Sequence, residues 1–430
     1  MKSALGFLIA ARRCEIHGLE QLEVTSELVK GVSELVHMLQ RERGTSNIYL
    51  ASGGKRFAGQ RAERVAASLA VESAVREQFS GLDTDSGRMA GGVRLFSRIA
   101  HVLHGLDSLP ALRERIAAND ITSDEAMRCY TELVAGLLAV VFEAADTAAN
   151  PVISRALVAL FNFMQGKELA GQERAVGAAG FAAGRFDAAG QQRLAHLIDA
   201  QERCFQIFTE FADATLRTIW RNAQNSEAVA ALERMRRIAC AASPAAFDGD
   251  AGERWYECAT ARIDVMRQVE DCATNALLHV CETQLTEARA DLQDHKRFLD
   301  SLSALGGQAA APVAIFLDKP ARSDDVGAAG DNEGLLSAGG LGPHLGRSVL
   351  DLMQAQSQRL QTMSDELNTA RAALNERKLV ERAKGLLMSR LGLNEAEAYK
   401  MLQQTAMNQH RRLADVAEAT LSLADFLKRG

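Results

Sequence analysis

Three arginines of this 430-residue chain fall where a helical core would call for hydrocarbon. In Leu35, Leu39, Arg43, Ser46, Leu50 the arginine fills a slot in a stripe of residues spaced three and four apart, which turns it inward on a helix. Arg174 does the same after Leu160, Phe163 and Ala170, and Arg236 after Val229 and Leu232. A guanidinium in an apolar interior is costly unless an anion or a carboxylate meets its charge. Several such donor forks converging would suit a small flat oxyanion. The competing reading is that each arginine snorkels to water or pairs with Glu42, Glu168 or Glu173.

A second concentration of charge lies near the C-terminus. Between Glu376 and Arg412 stand eight basic residues, Arg377, Lys378, Arg382, Lys384, Arg390, Lys400, Arg411 and Arg412, against four acidic ones. The whole chain carries −6, so no general attraction to nucleic acid is expected, and phosphate contact must rest on this local excess. Tyr399 and His410 lie beside the cations and could stack on unpaired bases. Short basic helices also suit a DNA-reading helix-turn-helix, which is the alternative. A phosphate-cradling glycine loop, a metal-ligand cluster and a nucleophile motif are all missing from the sequence. We therefore expect a regulator rather than an enzyme, with no metal and no cofactor.

The elements that must position these residues are helical. Apolar residues make up 47% and aromatics only 5%, alanine and leucine are plentiful, and alternating β-branched runs are nearly absent. Breaks are expected at Gly53-Gly54, Gly81 to Gly92, Asn119 to Ser123, Asn150-Pro151, Gly177 to Gly190 and Ser243 to Gly252. Thr122 or Ser123 before Glu125, and Asn150 before Pro151, read as helix starts. Seven scattered cysteines without a C-x-x-C pair fit reduced thiols in the cytoplasm. The apolar start, Met1 to Ala11, continues at helical spacing past Arg12 and Arg13 and reads as the first helix. No stretch reaches the roughly 20 apolar residues of a membrane span, so no membrane contact is expected.

The fold class expected is all-α, with paired antiparallel helical bundles over residues 1–305. Residues 306–347 hold nine glycines and three of the six prolines and read as a flexible linker. Over 348–375 a seven-residue repeat follows, with Met353, Leu360, Leu367 and Leu374 at one core position and Val349, Gln356, Met363 and Ala370 at the other. It predicts a connecting helix able to form a coiled-coil homodimer, or else to pack on its own domain. Residues 376–430 predict three helices, with Leu379, Ala383, Leu386 and Leu387, then Ala398, Leu402 and Ala406, then Val416, Ala417 and Leu421 facing inward.

Two resemblances give these readings a context. The run from Leu39 to Leu50, LQRERGTSNIYL, with the later Phe163 to Ala175, FMQGKELAGQERA, and Gly180-Phe181, resembles the nitrate- and nitrite-sensing domain of bacterial regulators over about residues 1–300. The resemblance implies that two helical bundles hold a nitrate or nitrite ion through arginines. By motif Arg43 and Arg174 match best, whereas Arg236 lies in Glu233-Arg-Met-Arg-Arg237, where Arg234 or Arg237 could be the counterpart. The tail, with Ala383-Lys-Gly-Leu-Leu-Met388, Ala406-Met407 and Leu413-Ala-Asp-Val-Ala417, resembles the ANTAR domain, the RNA-binding output of antiterminators, over about residues 372–428. Together they imply a sensor whose anion lets the tail bind hairpins in the leader RNA of nitrate assimilation operons.

Overall fold

The computed structural model describes residues 4–82, 92–240, 250–305, 343–393 and 395–429. Among them every regular element is a helix. The expected linker lies outside the described residues except for its last few positions, which open a helix at Pro343. The helices are α1 (Ala4–Ala51), α2 (Ala58–Ser80), α3 (Gly92–Ala117), α4 (Ser123–Thr147), α5 (Pro151–Ala182), α6 (Ala188–Phe211), α7 (Ala214–Gln224), α8 (Glu227–Cys240), α9 (Ala251–Leu305), α10 (Pro343–Leu391), α11 (Glu395–Gln409) and α12 (Leu413–Arg429). None is long and apolar enough to cross a membrane.

The chain divides into two compact units. One comprises Met1–Gly18 and Gln284–Asp365, where the ends of α1 and α9 are tied to α10 by charge: Arg12 and Arg359 both reach Asp291, and Arg359 also reaches Glu15. The other comprises Leu19–Thr283 and Glu366–Gly430 and holds every residue with candidate chemistry.

In that larger unit α3, α4, α5 and α6 pack in succession through short turns at 118–122, 148–150 and 183–187, so neighbours run antiparallel. Thr122 starts α4 with a complete capping box to Glu125. Asn150 starts α5 by accepting from the backbone N–H groups of Val152 and Ile153, with Pro151 in the first turn. Helix α5 is buried on most of its circumference, as expected of an element enclosed by neighbours. Around Phe163 the rings of Phe205, Phe208 and Trp220 meet edge-on or tilted. Trp255 anchors a second cluster with Phe181, Leu194, Leu232 and Met235.

The break expected over Gly177 to Gly190 is confined to 183–187, because α5 continues past Gly177 to Ala182. Two unexpected breaks, at Ala212-Asp213 and Asn225-Ser226, delimit α7. The connecting helix and the first helix of the tail are one element, α10. The tail core matches the expected inward residues, with Ala383, Leu402, Ala406, Val416 and Ala417 buried together. In the heptad repeat Leu374 and Ala370 are buried within the single chain, whereas Leu360 is 55% exposed. The far end of the repeat is thus buried without a second copy.

Candidate anion site and output interface

Arg43 on α1 and Arg174 on α5 come together between their helices. Arg43 is buried and forms a two-pronged pair with Glu168, Nη1 to Oε1 at 2.6 Å and Nη2 to Oε2 at 3.0 Å, with a further bond from Nη1 to Thr131 Oγ1 at 3.0 Å. Arg174 donates to Thr260 Oγ1 at 3.0 Å, lies over the Tyr256 ring at 5.0 Å, and has no carboxylate in ion-pair contact among the described residues. Burial pulls its pKa below the usual guanidinium value, and the neighbouring Arg43 charge adds to the fall.

Two glycines make this approach possible. A Cβ at Gly44 would sit 2.9 Å from Arg174 Nη2, and one at Gly171 would sit 3.0 Å from Arg43 Nη2. Each guanidinium therefore lies against the bare backbone of the opposite helix.

Arg236 has a separate environment. It is buried, with Nε and Nη2 at 2.7 and 2.6 Å from the two oxygens of Glu173 and Nη1 at 2.6 Å from Glu233. Although burial opposes its charge, these carboxylates raise its pKa. Arg234 and Arg237 on the same helix are exposed. Carboxylate pairing thus accounts for Arg43 and Arg236, and among the described residues Arg174 stands apart as the one of the three without a carboxylate in contact, Asp264 and Glu168 acting on it only through space.

The C-terminal cations divide into engaged and open groups. Lys378 donates to Asp146 of α4 at 2.8 Å and lies over the Phe142 ring at 5.1 Å. Arg377 reaches Asn162 Oδ1 at 3.3 Å and covers the Phe161 ring at 4.9 Å. Tyr399 is buried, with Arg203 of α6 at 4.5 Å from its ring centre and His196 at 5.2 Å. Burial alone would raise the Asp146 pKa, but Lys378 and Arg94 outweigh it and hold the carboxyl below its ordinary value.

Lys384 departs from the expected RNA-facing position. It is buried, and Glu381 and Glu395 take its ammonium at 2.7–3.0 Å, so its charge is spent inside the tail. Arg382, Arg390, Lys400, His410, Arg411 and Arg412 are exposed, and Arg412 reaches Glu376 at 3.0 Å. His410 takes a left-handed φ of 52° in the turn between α11 and α12. With Tyr399, Arg411 and Arg203 it lines an open groove of about 570 Å³. Sequence reasoning missed Asp146, Asn162, Phe142, Phe161, His196 and Arg203. Each is distant in sequence from the residue it meets, and only the buried carboxylate of Asp146 carries a chemical signal of its own.

The model of the nitrate and nitrite sensing family matches residues 34–278, more than half of the chain, and so covers Arg43, Arg174 and Arg236. The chain belongs to the nitrate- and nitrite-sensing family. The ANTAR domain model matches residues 368–421. A curated relative, the nitrate regulatory protein of Klebsiella oxytoca, is 34% identical over 96% of this chain and 93% of its own length. The transcriptional regulatory protein PdtaR of Mycobacterium tuberculosis is 30% identical over 29% of this chain and 60% of its own. The solved structure of the NasR transcription antiterminator aligns over 98% of both chains with TM-score 0.60 and 31% identity. A nitrate-sensing domain joined to an ANTAR domain makes this chain a nitrate-responsive antitermination regulator, which sets aside the enzyme and DNA-reading alternatives.

Proposed function

We propose that this family member binds nitrate or nitrite between Arg43 and Arg174, and that the bound anion frees its ANTAR domain to grip hairpins in the leader RNA of nitrate assimilation operons. The observation that carries the reading is the engagement of the output. Arg377, Lys378 and Tyr399, three residues suited to phosphate and base contact, are taken up by Asn162, Phe161, Asp146, Phe142, Arg203 and His196 of the sensor. While they are so held they cannot serve RNA. Arg382, Arg390, Lys400, His410, Arg411 and Arg412 supply the remaining contacts, with Tyr399 stacking once it is released. Arg236 orders the wall behind the site through Glu173 and is a secondary ligand at most.

In this reading the regulator acts in the cytoplasm, and a second copy pairs through the exposed Leu360 portion of the heptad repeat. The test is the affinity of the full chain for leader hairpin RNA at fixed salt, with and without nitrate, against duplex DNA as competitor. We expect at least tenfold tighter RNA binding with nitrate and no displacement by the duplex. Equal affinities in the two conditions would remove the switch.

A further inference from the structure

We infer that Glu168 is a resident counter-anion that sets the charge of the sensor site, leaving room for one negative charge and so selecting singly charged oxyanions over doubly charged ones. The inference rests on the reading of Arg43 and Arg174 as the anion site and assigns a role to a residue that is not itself an anion ligand.

Glu168 is buried at 2% exposure and is saturated with donors. Both prongs of Arg43 meet it, Gln40 Nε2 donates to Oε2 at 2.8 Å, and Gln172 Nε2 donates to Oε1 at 2.9 Å. Four donors thus converge on this one carboxylate, the arrangement suited to a carboxylate anion. Arg174, whose Nη2 lies against Gly44 beside Arg43, has no carboxylate in contact among the described residues. Two guanidiniums and one carboxylate leave a residual charge of one positive unit. Nitrate or nitrite cancels it, whereas sulfate would overshoot to one negative unit in a site largely removed from water, where uncompensated charge is expensive. The planar fork of Arg174 still offers donors to the incoming ion.

Altering the count should alter the selectivity. Glu168→Gln keeps the size of the side chain and raises the residual charge to two. Glu168→Asp keeps the carboxylate on a shorter stem and leaves the count at one. Calorimetric titration of the full chain and both variants with sodium nitrate and sodium sulfate reads the outcome, with circular dichroism checking the fold. We expect the parent to bind nitrate at least a hundredfold tighter than sulfate. In Glu168→Gln that ratio should fall at least tenfold as sulfate gains, and in Glu168→Asp it should stay within about threefold of the parent. An unchanged ratio in Glu168→Gln, a ratio in Glu168→Asp that falls as far as in Glu168→Gln, or a parent that takes both anions equally would overturn the inference. Absence of nitrate heat in the parent would instead overturn the sensor reading on which it rests.

Discussion

At the scale of the residue, the sensor tolerates buried charge because each such charge has a particular answer. Lys167 and Glu270 are both fully buried and pair with each other, and Ser33 donates to the same glutamate at 2.6 Å. Close to them His37 is 8% exposed, and burial, reinforced by Lys167, Arg267, Arg41 and Arg64, pushes its pKa down to about 2. Because the folded value lies below the unfolded value near 6.5, the unfolded chain binds this proton more readily. The His37 contribution is therefore complete above about pH 6.5 and is lost as pH falls, by about 2 kcal/mol between pH 7 and pH 5. Urea midpoints at those two pH values should show a clear acid loss in the parent and a shallower one in His37→Gln. Identical losses in the two proteins would refute the assignment. Spacing alone marked Arg43, Arg174 and Arg236 as inward-facing. What it could not tell was which charge meets which, because Arg43 and Glu168 are 125 positions apart and only the packing of α1 on α5 brings them together.

At the scale of the element, α5 carries the proposed site, and its glycines decide what can approach it. A Cβ at Gly166 would meet the Phe205 ring at 2.6 Å, and one at Gly177 would overlap the Trp255 ring, whose side chain is fully buried and bonded through Nε1 to the Arg174 carbonyl. In the sequence Gly177 reads as the start of a break, yet it lies inside the helix as the seat of a tryptophan. Composition could not separate those roles, since both are served by a missing side chain. Helix starts were more legible, because Thr122 and Asn150 act through neighbours two and three residues away. The turns around α7 escaped notice for the opposite reason: Ala212 and Asn225 bring neither glycine nor proline. The role assigned to Gly177 predicts the sign of a substitution. Gly177→Ala should gain up to about 1 kcal/mol in helix propensity and lose about 1–3 kcal/mol to overpacking. A net loss is expected in urea unfolding. Gly385→Ala on α10, where a Cβ meets nothing within 4 Å, should instead gain stability. Gains at both positions would show that Trp255 can retreat.

At the scale of the whole molecule, the proposed switch requires that the size of the ligand limit how firmly the output is held. Nitrate has four heavy atoms, so its binding reaches at most roughly −6 kcal/mol at about −1.5 per atom. Moving a population from 1:99 to 99:1 requires about 5.5 kcal/mol of differential binding, nearly all of that. The held state can therefore be favoured by only about 2.7 kcal/mol, the value of a 1:99 ratio. An interface so lightly biased should fail on the loss of one good contact. Asp146 is the place to test it, because it receives both Lys378 and Arg94, is buried, and stays ionised with its pKa held below the ordinary value. Removing one partner of such a contact costs about 1–3 kcal/mol or more for charged groups, comparable to the whole bias. Asp146→Asn leaves every cation of the output intact. It should therefore bind leader hairpin RNA without nitrate nearly as tightly as the parent does with nitrate, at the same salt concentration. Nitrate affinity should rise as well, since any reaction that frees the output also lifts the cost the anion must overcome. If the variant still needed nitrate to bind RNA, the Lys378 contact would be incidental and the restraint would lie elsewhere in the interface.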